Sequence, residues 1–202
     1  MRIGLDFDNT VVSYDALFHK LAREKDLVPP DTPASKVAVR DHLRKIGRED
    51  VWTEMQGCVY GARMSEALLY PGVIEFLRRA GGAGHEIAIV SHKTRHPFRG
   101  PPYDLHAAAR SWIEQNLIAD DRALVLNARV FLELTKEDKL TRIASFQCDV
   151  FLDDLPEILQ DNAFPTRCRR ILFDPEGHYA ATGLAGCSVV RSWEGFDRCL
   201  AL

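Results

Sequence analysis

The spacing of apolar residues changes along the chain, and the changes mark out elements. A short apolar run over residues 2–7 predicts a strand that ends in acids. The next 60 or so residues are spaced for helices. Ala16, Leu17, Leu21 and Ala22 share one face, and two further helical stretches cover residues 37–46 and 51–68, the last interrupted by Gly57 and Gly61. The proline-rich segment 28–33 separates the first from the second. Tyr70-Pro71-Gly72 then punctuates, with Pro71 opening a helix through Val73, Phe76 and Leu77 that Gly81, Gly82 and Gly84 stop. Beyond this point short apolar runs alternate with helical stretches. Strands are expected at 86–91, within 123–134, at Val150–Asp153, at 170–174 and at 188–190, and helices at 105–117 and Lys136–Phe146. Such alternation predicts an α/β fold, a parallel sheet covered on both faces. Ligands of such sheets bind beyond the carboxyl ends of the strands, so the residues that close each strand are the ones to inspect.

Composition narrows the picture. At 202 residues the chain is one domain, or one domain with an insertion. With 46% hydrophobic and 27% charged residues, extensive disorder and collagen-like repeats are excluded. A net charge of −3 speaks against a nucleic-acid-coating protein, though not against a local basic patch. No apolar run approaches the roughly 18 residues of a membrane-spanning helix. Acids appear too early for a secretory signal. The five cysteines are odd in number, widely spaced and without a CxxC pair, so no structural zinc site or disulfide framework is expected. A cytoplasmic protein with reduced thiols follows as the expectation. Oligomeric state is not readable.

The strand ends carry the chemistry. The first closes with Asp6-Phe7-Asp8-Asn9-Thr10, the second with Ser91, and a later one with Asp153-Asp154. Acids converging on one point repel each other and call for a cation. Oxygen donors of this kind favour Mg²⁺. A lysine early in the helix from 136, Lys136 or Lys139, is placed to join them. Taken singly, each of these features has an ordinary reading as a turn, an N-cap or a solvated lysine.

Together, and in this order, they resemble the motifs of the haloacid dehalogenase-like (HAD) superfamily. Residues 3–10 resemble motif I, an apolar strand followed by DxDx[TV]; 87–91 resemble motif II; Lys136 or Lys139 fits motif III, with Lys136 preferred; and 150–154 resemble motif IV. The resemblance implies a Rossmann-like three-layer sandwich with a parallel sheet. It also implies phosphatase chemistry, with Asp6 as nucleophile and Asp8 as general acid and base. Thr10 would buttress the turn, and Ser91 and the motif III lysine would hold the phosphoryl oxygens. Mg²⁺ would be held by Asp6, the Asp8 carbonyl, Asp153 and Asp154. Members with dehalogenase chemistry lack the acid two residues after the nucleophile, so Asp8 favours a phosphatase. A binder without turnover and a phosphotransferase are the alternatives.

The resemblance also sets the expected organisation: residues 1–13 and 70–202 as the core, 14–69 as a small helical C1 cap inserted after motif I. Gln56, Tyr60 and Arg63 are candidate cap-side contacts. Asn9, Thr10, His92 and Lys93 are candidate substrate contacts, the last two within a basic cluster that includes Arg95, His96 and Arg99. The substrate would be a small phosphorylated molecule, with sugar phosphates and nucleoside monophosphates both open. Residues 91–94 through 102–103 and Trp112 resemble deoxyribonucleotidase-like members, with a cap of different length.

Overall fold

Six strands of four to seven residues, read as alternating or continuous apolar runs, pair in parallel into one sheet. They are β1 (Arg2–Leu5), β2 (Glu86–His92), β3 (Val130–Glu133), β4 (Val150–Asp153), β5 (Arg169–Phe173) and β6 (Cys187–Val190). Their order is β6-β5-β4-β1-β2-β3. This is a computed structural model, and it describes residues 1–179 and 184–201. The central strands are buried on both faces, which is why they read as unbroken apolar runs. The order reverses at β1: later strands add to one side through β2 and to the other through β4. The carboxyl end of β1 is therefore the topological switch point, where such sheets open a crevice.

Four helices cover this sheet: α4 (Val73–Gly82), α6 (Lys136–Phe146), the single turn α7 (Pro156–Leu159) and α8 (Trp193–Leu200). Numbering follows chain order, with α1, α2, α3 and α5 given below. Leu140 and Ile143 of α6 pack with Val90, Phe151, Ile158 and Leu172. Phe76 of α4 meets the rings of Trp193 and Phe196 at 5.2 and 4.9 Å. Each such side chain contributes about 1.5–3 kcal/mol by leaving water. Gly4 is required where β1 passes β4: a Cβ there would lie 2.4 Å from the Phe151 ring.

Contacts divide the chain into two units. The first, residues 1–11, 69–93 and 114–202, holds the sheet. The second, residues 12–68 and 94–113, holds α1 (Asp15–Glu24), α2 (Lys36–Lys45), α3 (Glu49–Tyr60) and most of α5 (Leu105–Asn116). Sequence alone set the insertion at 14–69 and left 94–113 with the core. In the structure 94–113 groups with the helices, and two glycines, Gly57 within α3 and Gly61 at its C-cap, show why. A Cβ on Gly57 would come within 2.8 Å of Pro97, and one on Gly61 within 2.5 Å of Tyr103. These glycines mark a close approach of loop to helix, besides ending α3 eight residues before the expected stop. Trp112 adds to the same contact by donating from Nε1 to the Ala67 carbonyl at 3.0 Å. The interior of this unit is aromatic: Tyr14, Phe18 and Tyr60 meet one another, and Trp52 packs on Phe18.

Two other expectations shift. The strand sought within 123–134 is confined to Val130–Glu133, because a tight hairpin with Asp120 and Asp121 at positive φ precedes it. Helix α8 was not anticipated at all. Among the described residues no helix is long and apolar enough to cross a membrane.

Candidate active site

β1 stops at Leu5, but the Asp6 amide still donates to the Leu152 carbonyl at 2.8 Å, so Asp6 is held in line with β4. The chain then turns: the amides of Thr10 and Val11 both donate to the Phe7 carbonyl. Asn9 sits at φ 57°, a left-handed conformation that asparagine tolerates better than most residues. The turn leaves Asp6 buried and Asp8 partly accessible. β2 delivers Ser91, whose Oγ donates to Asp6 Oδ1 at 3.0 Å. β4 delivers Asp153, fully buried, with Asp154 after it.

Between these acids lies one lysine. Lys139 Nζ is 2.6 Å from Asp6 Oδ1 and 2.7 Å from Asp153 Oδ2, and its side chain is 1% exposed. The Thr135 side chain caps α6 by accepting from the Asp138 amide, which places Lys136 in the first position and Lys139 one turn in. Lys136 therefore faces elsewhere, pairing with Asp161 at 2.6 Å near solvent. The preference for Lys136 is corrected: Lys139 is the lysine brought to the carboxylates.

The electrostatics follow from burial. Loss of water pushes the Asp153 carboxyl up, to about 7; Lys139 opposes this and Asp6 reinforces it. Burial alone would depress Lys139, but the charges of Asp153 and Asp6 outweigh it and hold its ammonium above the ordinary lysine value. One cation thus serves two buried acids. Carboxylate oxygens of Asp6, Asp153 and Asp154 lie within 4.8 Å of one another. Asp153 Oδ2 is buried and, despite its ion pair, lacks an aligned hydrogen bond. Its other oxygen accepts from the Leu155 amide at 3.0 Å, and Asn9 Nδ2 donates to Asp154 Oδ2 at 3.3 Å. Hard oxygen donors, excess negative charge and an incompletely satisfied buried oxygen fit a magnesium ion.

The remaining candidates separate. Asn9 braces Asp154, and Thr10 is fully buried, accepting at its carbonyl from Trp193 Nε1. His92 is exposed, with Nε2 3.1 Å from the Leu134 carbonyl, because alternation along β2 turns it away from Ser91. Lys93 shares the phase of Ser91. It is buried, and its Nζ donates to both oxygens of Asp8 at 2.9 and 2.8 Å. That pairing was missed; the alternation Ser91-His92-Lys93 is the signal that could have found it. Within the helical unit, Arg95 pairs with Asp104, His96 meets the Tyr103 carbonyl, and Arg63 is engaged by Glu24 and Glu66. The expectation of Arg63 as an available cationic contact is thus weakened by its two acidic partners.

No family model matches the chain. It is 22% identical over 182 residues, 86% of its length and 87% of the relative's, to a protein of Oceanobacillus iheyensis that carries the provisional name nucleotidase. A dehalogenase crystal structure superposes with a TM-score of 0.60 at 14% identity, covering 100% of this chain and 97% of its own. A Bacillus subtilis protein, provisionally a HAD hydrolase and solved with magnesium bound, superposes with a TM-score of 0.55 at 14% identity, covering 100% and 98%. The chain has the fold of the haloacid dehalogenase-like hydrolases, a parallel six-stranded sheet with its acids gathered at the carboxyl end of the first strand.

Proposed function

We propose that the chain is a magnesium-dependent phosphomonoester hydrolase that works through an aspartyl-phosphate on Asp6. The observation that carries this reading is Lys139, shared at 2.6 and 2.7 Å between Asp6 and Asp153. A carboxylate can approach a phosphate dianion only where its own charge is offset, and a desolvated ammonium does this most strongly. Ser91 and Lys139 both engage Asp6 Oδ1, which fixes the rotation of the carboxylate before substrate arrives. Asp6 attacks phosphorus while the ester oxygen departs, and Asp8 protonates that oxygen. Asp8 then accepts the proton of the water that cleaves the aspartyl-phosphate. Ser91 and Lys139 hold the phosphoryl oxygens through both steps. Asp6, Asp153 and Asp154 would hold the ion, with the Asp8 carbonyl. When bound, magnesium supplies further neutralisation of phosphoryl charge.

Asp8 also argues against carbon–halogen chemistry, which has no leaving oxygen to protonate. The name of the Oceanobacillus relative supports a nucleoside monophosphate as substrate. The helical unit, entered after Val11 and after Lys93, is read as the cap that selects it. The test is phosphate release from 4-nitrophenyl phosphate and from a panel of nucleotides and sugar phosphates, with magnesium or with excess chelator. Magnesium-dependent release is expected, strongest on nucleoside monophosphates. Chloride release from a haloacid without phosphate release from any ester would overturn the reading.

A further inference from the structure

The Lys93–Asp8 pair is unusual among the ion pairs of this protein. Its lysine is 3% exposed, and a single ammonium occupies both oxygens of one carboxylate. The Lys93 amide donates to the Glu133 carbonyl at 2.8 Å, so the backbone is still held by the sheet while the side chain reaches back to the β1 turn. Lys93 is also the last residue before the chain enters the helical unit.

The proposed chemistry gives this pair a difficulty. To protonate a departing oxygen, Asp8 must turn one of its oxygens toward the ester. In the structure both already accept from Lys93. An arriving phosphomonoester brings oxygens of higher charge than a carboxylate, and a lysine ammonium has three donors on a flexible stem that re-aims easily. We propose that Lys93 is a positioning residue: it holds Asp8 while the site is empty and passes to a phosphoryl oxygen when the ester binds. Asp8 is thereby released toward the leaving oxygen only in a loaded site. This rests on the phosphatase reading above. In the step it serves, Asp8, freed of the ammonium, first takes up a proton from solvent; the Asp6–phosphorus bond then forms, the phosphorus–ester bond breaks with its electron pair going to the ester oxygen, and the Asp8 proton goes to that oxygen.

This role differs from that of a simple phosphate-binding lysine in what it does to different esters. Aryl phosphates with acidic leaving groups need little proton donation, whereas alkyl phosphates depend on it. Lys93→Met keeps the length of the side chain and removes its charge. It should lower kcat/KM for alkyl phosphates about tenfold to a hundredfold more than for 4-nitrophenyl phosphate, steepening the dependence on leaving-group acidity. Lys93→Arg, which can also pair with both oxygens of Asp8, should recover part of the original dependence. An equal loss across all esters would make Lys93 a phosphate ligand only and overturn the proposal; so would lost thermal stability with an unchanged leaving-group dependence. A second arm needs no turnover. In the magnesium-loaded protein with inorganic phosphate, a crystal structure should show Lys93 Nζ on a phosphate oxygen and Asp8 freed of it. Phosphate bound with Lys93 still on both oxygens of Asp8 overturns the exchange, and phosphate that does not bind at all overturns it too. If no ester is turned over yet Lys93 moves onto bound phosphate, the phosphatase reading fails and the exchange stands.

Discussion

The two ends of the sheet are built from the same strands, yet they treat charge in opposite ways. At the carboxyl end Asp6, Asp153, Lys139 and Lys93 are each at most 4% exposed. At the amino end the charges beside the strand starts stay wet, although Asp197 of α8 is buried away from the site and pairs with the exposed Arg79 of α4 at 2.7 Å. Arg2 pairs with Glu86 at 3.8 Å and Arg129 with Glu86 at 3.2 Å, through side chains 34–46% exposed. The thiols buried there are inert: loss of water pushes Cys148 up to about 12 and Cys168 in the same direction, so neither is ionised near neutrality. Burying a charge costs several kcal/mol, and its partner rarely returns the whole amount. A fold that only needed stability would resemble the amino end throughout. The concentration of desolvated charge at one end is a cost that chemistry there explains.

The contrast breaks most sharply at Asp6. Asp6→Asn should abolish phosphate release, a loss of at least about a thousandfold, because an amide cannot form the aspartyl-phosphate. Its circular dichroism spectrum should match the parent's. Near-parental turnover of 4-nitrophenyl phosphate by a pure, folded variant would remove Asp6 as nucleophile.

Next come the two lysines of α6, three residues apart. Lys139→Ala leaves Asp6 and Asp153 buried without their cation and should destabilise the metal-free protein by about 3–5 kcal/mol. Activity should fall by about 10²–10³. Lys136→Ala removes a pair at the surface and should leave both close to parental. Urea unfolding and steady-state kinetics on both variants check the ranking; the reverse order would return the motif to Lys136.

These lysines also show what could be read from sequence. The strand ends were legible because each joins an apolar run to a polar residue: Leu5 to Asp6, Val90 to Ser91, Leu152 to Asp153. The span of α6 was legible from its apolar period, Leu140 and Ile143, and from the Thr135 cap. Which lysine turns inward was not, since both lie near the same stripe. The choice depends on where α6 starts relative to the sheet, a tertiary fact. The alternation Ser91-His92-Lys93 puts Lys93 on the face of Ser91, but its partner Asp8 lies 85 residues away, and local pattern does not name it. By contrast, α8 is amphipathic enough to have been found: Trp193, Phe196 and Leu200 recur at helical spacing behind a Ser192 cap. Residues 94–113, read from sequence with the core, group by contact with the helices. Gly57 and Gly61 read as breaks in a helix, whereas they are the flat face against which that segment packs.

Asp153 gives a gentler test, through pH. Its folded value is raised to about 7, while the unfolded carboxyl titrates near 4. Between these values the folded protein binds more protons than the unfolded chain, so stability falls as pH rises through that window. The raised value of Lys139 acts only above the ordinary lysine range and does not enter here. Metal-free protein should therefore lose melting temperature from about pH 4 to 7 on account of Asp153. Asp153→Asn should flatten that loss, and saturating magnesium should offset it in the parent alone. Parallel pH profiles for parent and variant without metal would mean that Asp153 carries no such penalty.

The smallest effect is expected at the amino end, and it is what gives the comparison its scale. Arg2 contacts Gln147 and Glu86 through its guanidinium, while its backbone amide donates to Asp149 at 2.7 Å. Arg2→Ala removes only the side-chain contacts; the backbone bond, and with it the start of β1, stays. Half-exposed pairs of this kind contribute about 0–1 kcal/mol, because water already screens both charges and a long side chain must be ordered to form the pair. The variant should therefore unfold in urea within about 1 kcal/mol of the parent, with the difference shrinking as salt is added. Phosphate release should be unchanged. Lys139→Ala measured beside it should keep most of its penalty in salt, since its charges lie beyond the reach of counterions. If Arg2→Ala cost as much as Lys139→Ala, and resisted salt as well, desolvated charge would not be concentrated at the catalytic end of the sheet. The burial of Asp6, Asp153 and Lys139 would then no longer argue for chemistry.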